Sequence, residues 1–155
     1  MKEIATNIKN RVVLVDDEDF EYLNQFNWYV NKTDYTWYAY RWNKTKHLAM
    51  HREIMRTPDE MEVDHKNGKG YDNQKSNMRN CTRSQNSMNK VSPTNHSKGV
   101  CYDKHRGSPK KYKAQIKKDG IHYNLGYFLT EIEAAITYNN AATELFGEFA
   151  LLNNV

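Results

Sequence analysis

Residues 63–86 read VDHKNGKGYDNQKSNMRNCTRSQN. The stretch sets an acid and an imidazole side by side, Asp64 and His65, turns at NGKG, and then spaces the amides Asn77 and Asn86 behind them. MEVDH (61–65) is strand-like, and SNMRNCT (76–82) reads as a second strand beyond a loop. Thr82 or Ser84 can cap a short helix through Gln85, Asn86 and Met88. The order is strand, loop, strand, helix. Side chains alternate along a strand, so Asp64 and His65 are expected on opposite faces of one backbone segment.

One acid, one imidazole and two amides suit hydrolysis of a phosphodiester. That reaction needs a base for the attacking water and positive charge near the phosphate. A neutral imidazole is the natural base near pH 7, and His65 can fill that role. Asp64 and the side-chain oxygen of Asn86 are hard oxygen ligands of the kind Mg²⁺ prefers. Two such ligands leave positions for water and phosphate. Asn77 can orient the imidazole by a hydrogen bond. Asn73 and Asn80 read as turn and loop chemistry.

Upstream, residues 1–57 alternate short strand-like and helix-like pieces. RVVLV (11–15) is a β-branched strand, and DDEDFEYLNQF (16–26) is a helix opened by acids, with Phe20, Leu23 and Phe26 at helical spacing. WYV (28–30) and TWYAYRW (36–42) predict a hairpin around NKTD, and HREIM a short helix ended by Pro58. The aromatic residues here read as core and cross-strand packing.

Downstream, VSPTNHS (91–97) reads as a linker. KGVCYD, KKYKAQIKK and HYNLGYF are three strand candidates, and LTEIEAAITYNNAATELFG a helix with a Thr130–Glu133 capping box and Gly147 at its end. Lysine and arginine crowd the strand region, whereas Glu131, Glu133, Glu144 and Glu148 follow it. Such separation suits a polyanion on the basic side.

The 155 residues carry a net charge of +4 and a mean hydropathy of −0.97, yet include 11 tyrosines and 12% aromatics, which disordered chains usually lack. No apolar run is long enough for a bilayer, and the N-terminus has no apolar signal core, so a soluble, intracellular protein is expected. Cys81 and Cys101 form no C-x-x-C pair, and structural zinc is not expected.

The joint pattern of residues 63–86 closely resembles the HNH endonucleases, specifically the phage and intron-associated homing type. The resemblance implies an α+β fold with a ββα-metal core over 61–90 inside a nuclease domain of residues 1–90. It implies His65 as general base, Asn77 as the middle residue of the signature, and Asp64 and Asn86 as ligands of Mg²⁺ or Mn²⁺. Asn86 stands where the family name has a histidine. VDDEDFEYL, WYAYRW and MHREIM extend the resemblance upstream, with His51 and Arg52 as scaffold or phosphate contacts. Lys75, Arg79 and Arg83 flank the motif and are expected to hold phosphates.

Residues 98–155 resemble the plant APETALA2/ethylene-response DNA-binding domain, through GV (99–100), YKAQI (112–116), LGYF (125–128) and EAA (133–135). That resemblance implies a three-stranded antiparallel sheet entering the major groove, backed by one helix, with Lys98, Lys104, Arg106, Lys110, Lys111, Lys113 and Lys117 meeting double-stranded DNA. Tyr112 replaces the usual tryptophan, and Ser108-Pro109 lengthens the preceding loop. Lysine is poorer than arginine at bidentate guanine reading, so backbone anchoring is expected to dominate.

The expectation is a metal-dependent DNA endonuclease leaving 5′-phosphate and 3′-hydroxyl ends. It is expected to act as a monomer that nicks, in the cytoplasm of a bacterial or phage-infected cell. The competing class is a non-catalytic DNA-binding regulator. It accounts for the basic sheet but leaves Asp64, His65, Asn77 and Asn86 without a reason.

Overall fold

The β-branched run at 11–15 does form a strand, but its partner is one that the sequence pattern does not advertise. In the computed structural model, β1 (Lys2–Ala5) pairs antiparallel with β2 (Val12–Val15), Lys2 opposite Val15. The structure describes residues 1–33, 36–90 and 96–155. It divides into two units, Met1–Asn86 and Ser87–Val155. Most of the linker expected at 91–97 (residues 91–95), and Asp34 of the NKTD turn, lie outside the described residues.

In the first unit, α1 (Asp17–Leu23) follows β2, with Asp17, Glu18 and Asp19 in its first turn where the helix dipole favours acids. β3 (Tyr29–Lys32), β4 (Trp37–Trp42) and β5 (His47–Ala49) form an antiparallel sheet in chain order. α2 (Met50–Met55) ends ahead of Pro58, at Arg56, which turns left-handed with φ of 47°. One core joins these pieces: Ile4, Val13, Val15, Leu23, Trp28, Ala39 and Met50 are buried together. The indole N–H of Trp28 donates to the Leu23 carbonyl at 2.9 Å, so the polar atom of the largest core residue is satisfied.

Next come β6 (Glu62–His65) and β7 (Met78–Cys81), antiparallel, with Asp64 opposite Arg79 and His65 opposite Met78. α3 (Arg83–Met88) follows directly.

The second unit holds β8 (Val100–Tyr102), β9 (Tyr112–Lys118) and β10 (Ile121–Phe128), with β9 central. α4 (Glu131–Phe146) carries both halves of the Thr130–Glu133 capping box and ends at Gly147. Its buried residues Ala134, Ala135, Tyr138, Ala142 and Phe146 pack in two clusters with Val100, Ala114 and Ile116. The small alanines let the helix sit close against the sheet. The fold is of the mixed α+β class, with several small antiparallel sheets.

Candidate functional site

Strand alternation along β6 separates two environments. On one face lies His65, 5% exposed, and its Nε2 meets Asn73 Oδ1 at 2.9 Å. Its ring lies 5.7 Å from Tyr38 and 5.4 Å from His51, centroid to centroid. His51 in turn packs edge-on to Tyr38 and Tyr40. Burial lowers the pKa of His65, opposed by the Asn73 hydrogen bond and the Asp64 charge, so the neutral imidazole is favoured near pH 7. Burial, together with the charges of His65 and Arg52, pushes His51 down to about 3.

Asn73 was not among the expected site residues. It is fully buried and held by its backbone, since its N–H donates to the Leu14 carbonyl at 2.8 Å and the Leu14 N–H donates to the Tyr71 carbonyl at 2.9 Å. Asn77, expected to orient the imidazole, instead ties the loop. Its amide nitrogen donates to Asn67 Oδ1 at 3.1 Å and to the Asp72 carbonyl at 2.8 Å, while its oxygen accepts from the Asn67 N–H. Asn77 thus acts on the loop that carries Asn73, one step removed from the ring. The sequence signal for Asn73 is present in GYDNQ, but it is indistinguishable there from ordinary turn composition.

The loop is also fastened to the N-terminal elements. Asp16 accepts the Lys75 N–H at 2.8 Å, Thr36 Oγ1 accepts the Gly70 N–H at 2.8 Å, and Tyr71 stacks on Trp37 at 5.0 Å. A Cβ on Gly70 would overlap the Tyr38 ring and stand 2.8 Å from the Trp37 carbonyl oxygen. Glycine there lets the loop lie against the residue that flanks His65.

On the other face lies Asp64, 3% exposed. Arg79 Nε and Nη2 both donate to its Oδ2, at 2.8 and 2.7 Å. Glu62, two residues earlier on the same face, accepts from Asn86 Nδ2 at 2.6 Å. Among the described residues no three His, Cys, Asp or Glu side chains converge as a metal cage. The donor chemistry nevertheless fits Mg²⁺ or Mn²⁺. Mg²⁺ is usually held by one or two carboxylates plus water and substrate phosphate, and the Asp64 carboxylate and Asn86 amide oxygen are donors of that type. Glu62 adds negative charge beside them.

The expected phosphate-holding cations divide sharply. Arg52 donates to the Met61 and Pro58 carbonyls at 2.6 and 2.7 Å, closing the turn after α2, and so is a structural tie. Lys75 pairs with Glu18 and Asp19 of α1, whose acid-rich first turn takes up the ammonium. Arg79 is spent on Asp64. Arg83 is exposed at the start of α3.

In the second unit, Ala114 and Ile116 of β9 face α4, which puts Lys113, Gln115 and Lys117 on the open face. Tyr127 is opposite Lys113, and the Arg106 guanidinium lies 3.7 Å from the Tyr127 ring centre. Lys104 and Lys110 are exposed, and Lys111 is partly covered. Lys98 departs from the group: its ammonium donates to the Met88 carbonyl, and burial pushes its pKa down to about 8.

The chain is 33% identical over 153 residues to an uncharacterized HNH endonuclease of Acanthamoeba polyphaga mimivirus, covering 95% of this chain and 77% of the relative. No family model matches the chain, and no solved structure matches it.

Proposed function

The chain belongs to the HNH endonuclease family, and on that footing we propose that it is a metal-dependent DNA endonuclease of the homing type, with residues 61–90 as a ββα-metal core. The observation that carries this reading is the two-sided strand β6. It sets a buried, amide-braced imidazole against one face and a buried carboxylate against the other.

With the Asn73 oxygen facing Nε2, that nitrogen holds the ring proton, and Nδ1 is the basic nitrogen. His65 Nδ1 takes a proton from a water as the water oxygen attacks phosphorus. The P–O3′ bond breaks, leaving a 5′-phosphate, and the departing O3′ takes a proton from a solvent water to become the 3′-hydroxyl. Asp64 and Asn86 would hold a divalent cation, which supplies positive charge to the phosphate and the leaving oxygen. Asn73 keeps the ring in one tautomer, and Asn77 keeps the loop of Asn73 in place.

Residues 98–155 are proposed as the DNA-anchoring module, similar to an APETALA2 domain. The open face of its sheet carries Lys113 and Lys117 around Gln115, with Arg106 packed over Tyr127. Lysine ammonium groups there fit a phosphate backbone, and Gln115 offers the one amide at the centre of that strand for a base edge. Joined to the nuclease in one chain, such an anchor raises the local concentration of cleavable phosphates at the catalytic unit.

Supercoiled plasmid incubated with wild type and with His65→Ala, in Mg²⁺ and in EDTA, tests the reading. Conversion to open circle by wild type with metal alone supports it. DNA binding without cleavage across several divalent metals favours the non-catalytic regulator.

A further inference from the structure

We infer that Arg79 is a positioning residue for the metal ligand Asp64, not a phosphate anchor. This rests on the proposal that Asp64 binds a divalent cation. The guanidinium sits directly across the β6–β7 ladder from Asp64, and its Nε and Nη2 converge on one carboxylate oxygen, Oδ2. Side-chain exposure is 13% for Arg79 and 4% for Asp64, so the pair is formed inside the unit.

Three physical consequences follow from that geometry. Two N–H donors in a rigid planar guanidinium fix the direction of Oδ2 more closely than a rotating lysine ammonium would. The guanidinium gives the ligand a counter-ion in direct contact. Mg²⁺ demands near-ideal octahedral placement of its oxygens, and the orientation of the ligating carboxylate is therefore part of its affinity. Arg79 also brings a positive charge toward the metal, and Glu62, on the same face of β6 and bonded to Asn86, offsets it. The four side chains form two pairs on this face: Arg79 aims Asp64, and Glu62 holds Asn86.

Mn²⁺ titrated calorimetrically into wild type, Arg79→Gln and Arg79→Lys tests this, with plasmid-fragment binding in EDTA measured by anisotropy on the same three proteins. The expected result is a loss of Mn²⁺ affinity of roughly 10- to 100-fold in Arg79→Gln. A smaller loss is expected in Arg79→Lys, and DNA affinity in EDTA should be unchanged in both. Arg79→Lys keeps the buried charge balanced and carries the test if Arg79→Gln does not fold. Unchanged or tighter Mn²⁺ binding in the folded variants overturns the inference. So does weaker DNA binding in EDTA with Mn²⁺ affinity retained, which is the signature of a phosphate anchor. A wild-type protein that binds no Mn²⁺ overturns the metal reading itself, an outcome distinct from a wild type that binds and variants that bind equally.

Discussion

Asn73 holds His65 by an amide oxygen 2.9 Å from Nε2, and both side chains are buried. The other amide atom, Nδ2, is buried with no hydrogen-bond partner among the described residues, a cost borne at this position. Asn73→Ala removes the brace, and its cleavage rate is expected to fall at least about tenfold, short of the ~10²-fold or greater loss expected for His65→Ala. The stability change should stay within about 1–3 kcal/mol, because the lost bond and the relieved amide partly offset. Plasmid nicking at fixed Mg²⁺, read beside a thermal melt, separates the two effects. Full activity in Asn73→Ala would sink the assigned role.

Gly70→Ala is the sharpest steric prediction. The new methyl must displace the Tyr38 ring or lift the loop away from β4, since the Trp37 carbonyl closes the other side. A destabilisation of roughly 1–3 kcal/mol is expected from such overpacking. Cleavage should drop more than the folded fraction does, because Tyr38 flanks His65. Gly68→Ala makes a useful contrast: space around Gly68 is open, but its φ of 71° strains a side chain, so only stability should respond.

Stability should fall on mild acidification through His51. Its ring faces His65 from β6 and Tyr38 and Tyr40 from β4, with Arg52 adjacent, and its pKa stands near 3 against 6.5 in a solvated chain. Between those values the unfolded chain binds the extra proton. The contribution is therefore fully present above pH 6.5 and drains away as pH falls toward 3. By pH 5 the loss amounts to roughly 2 kcal/mol. His51→Phe should flatten this limb in urea midpoints compared at pH 7.5 and pH 5. His65, also shifted downward, leaves a residual slope.

How far these relationships could be read from the residues depended on their range. Local patterns served well: RVVLV, MEVDH and the Thr130 capping box all lie where period and turn chemistry place them. The acid and imidazole on opposite faces of β6 also followed from alternation alone. What escaped was contact at long separation. Nothing in GYDNQ distinguishes an amide that braces a histidine from one that caps a turn, because the difference is made by Leu14, far upstream. Charge counting failed for the same reason. Lys75, Arg79 and Arg52 read as three cations around a motif, and only tertiary structure reveals that Glu18, Asp64 and two carbonyls have engaged them.

The second unit gives a salt-dependence prediction. Lys113 and Lys117 stand on the open face of β9, whereas the ammonium of Lys98 is turned to the Met88 carbonyl. Substituting Lys113 or Lys117 by Gln should weaken DNA binding and lower the slope of log affinity against log salt by about 1 for each phosphate no longer neutralised. Lys98→Gln should leave that slope unaltered. Equal slopes for all three variants would move the interface off this face.

The grip of Leu14 and Asp16 on the loop from Tyr71 to Lys75 also bears on inheritance. A chain assembled from exchangeable parts needs seams, and this one has no seam in front of its signature. A chimera cut ahead of Met61 would acquire the histidine together with an amide brace that has nothing to stand on. Recombination that preserves this site must carry the first sixty residues along.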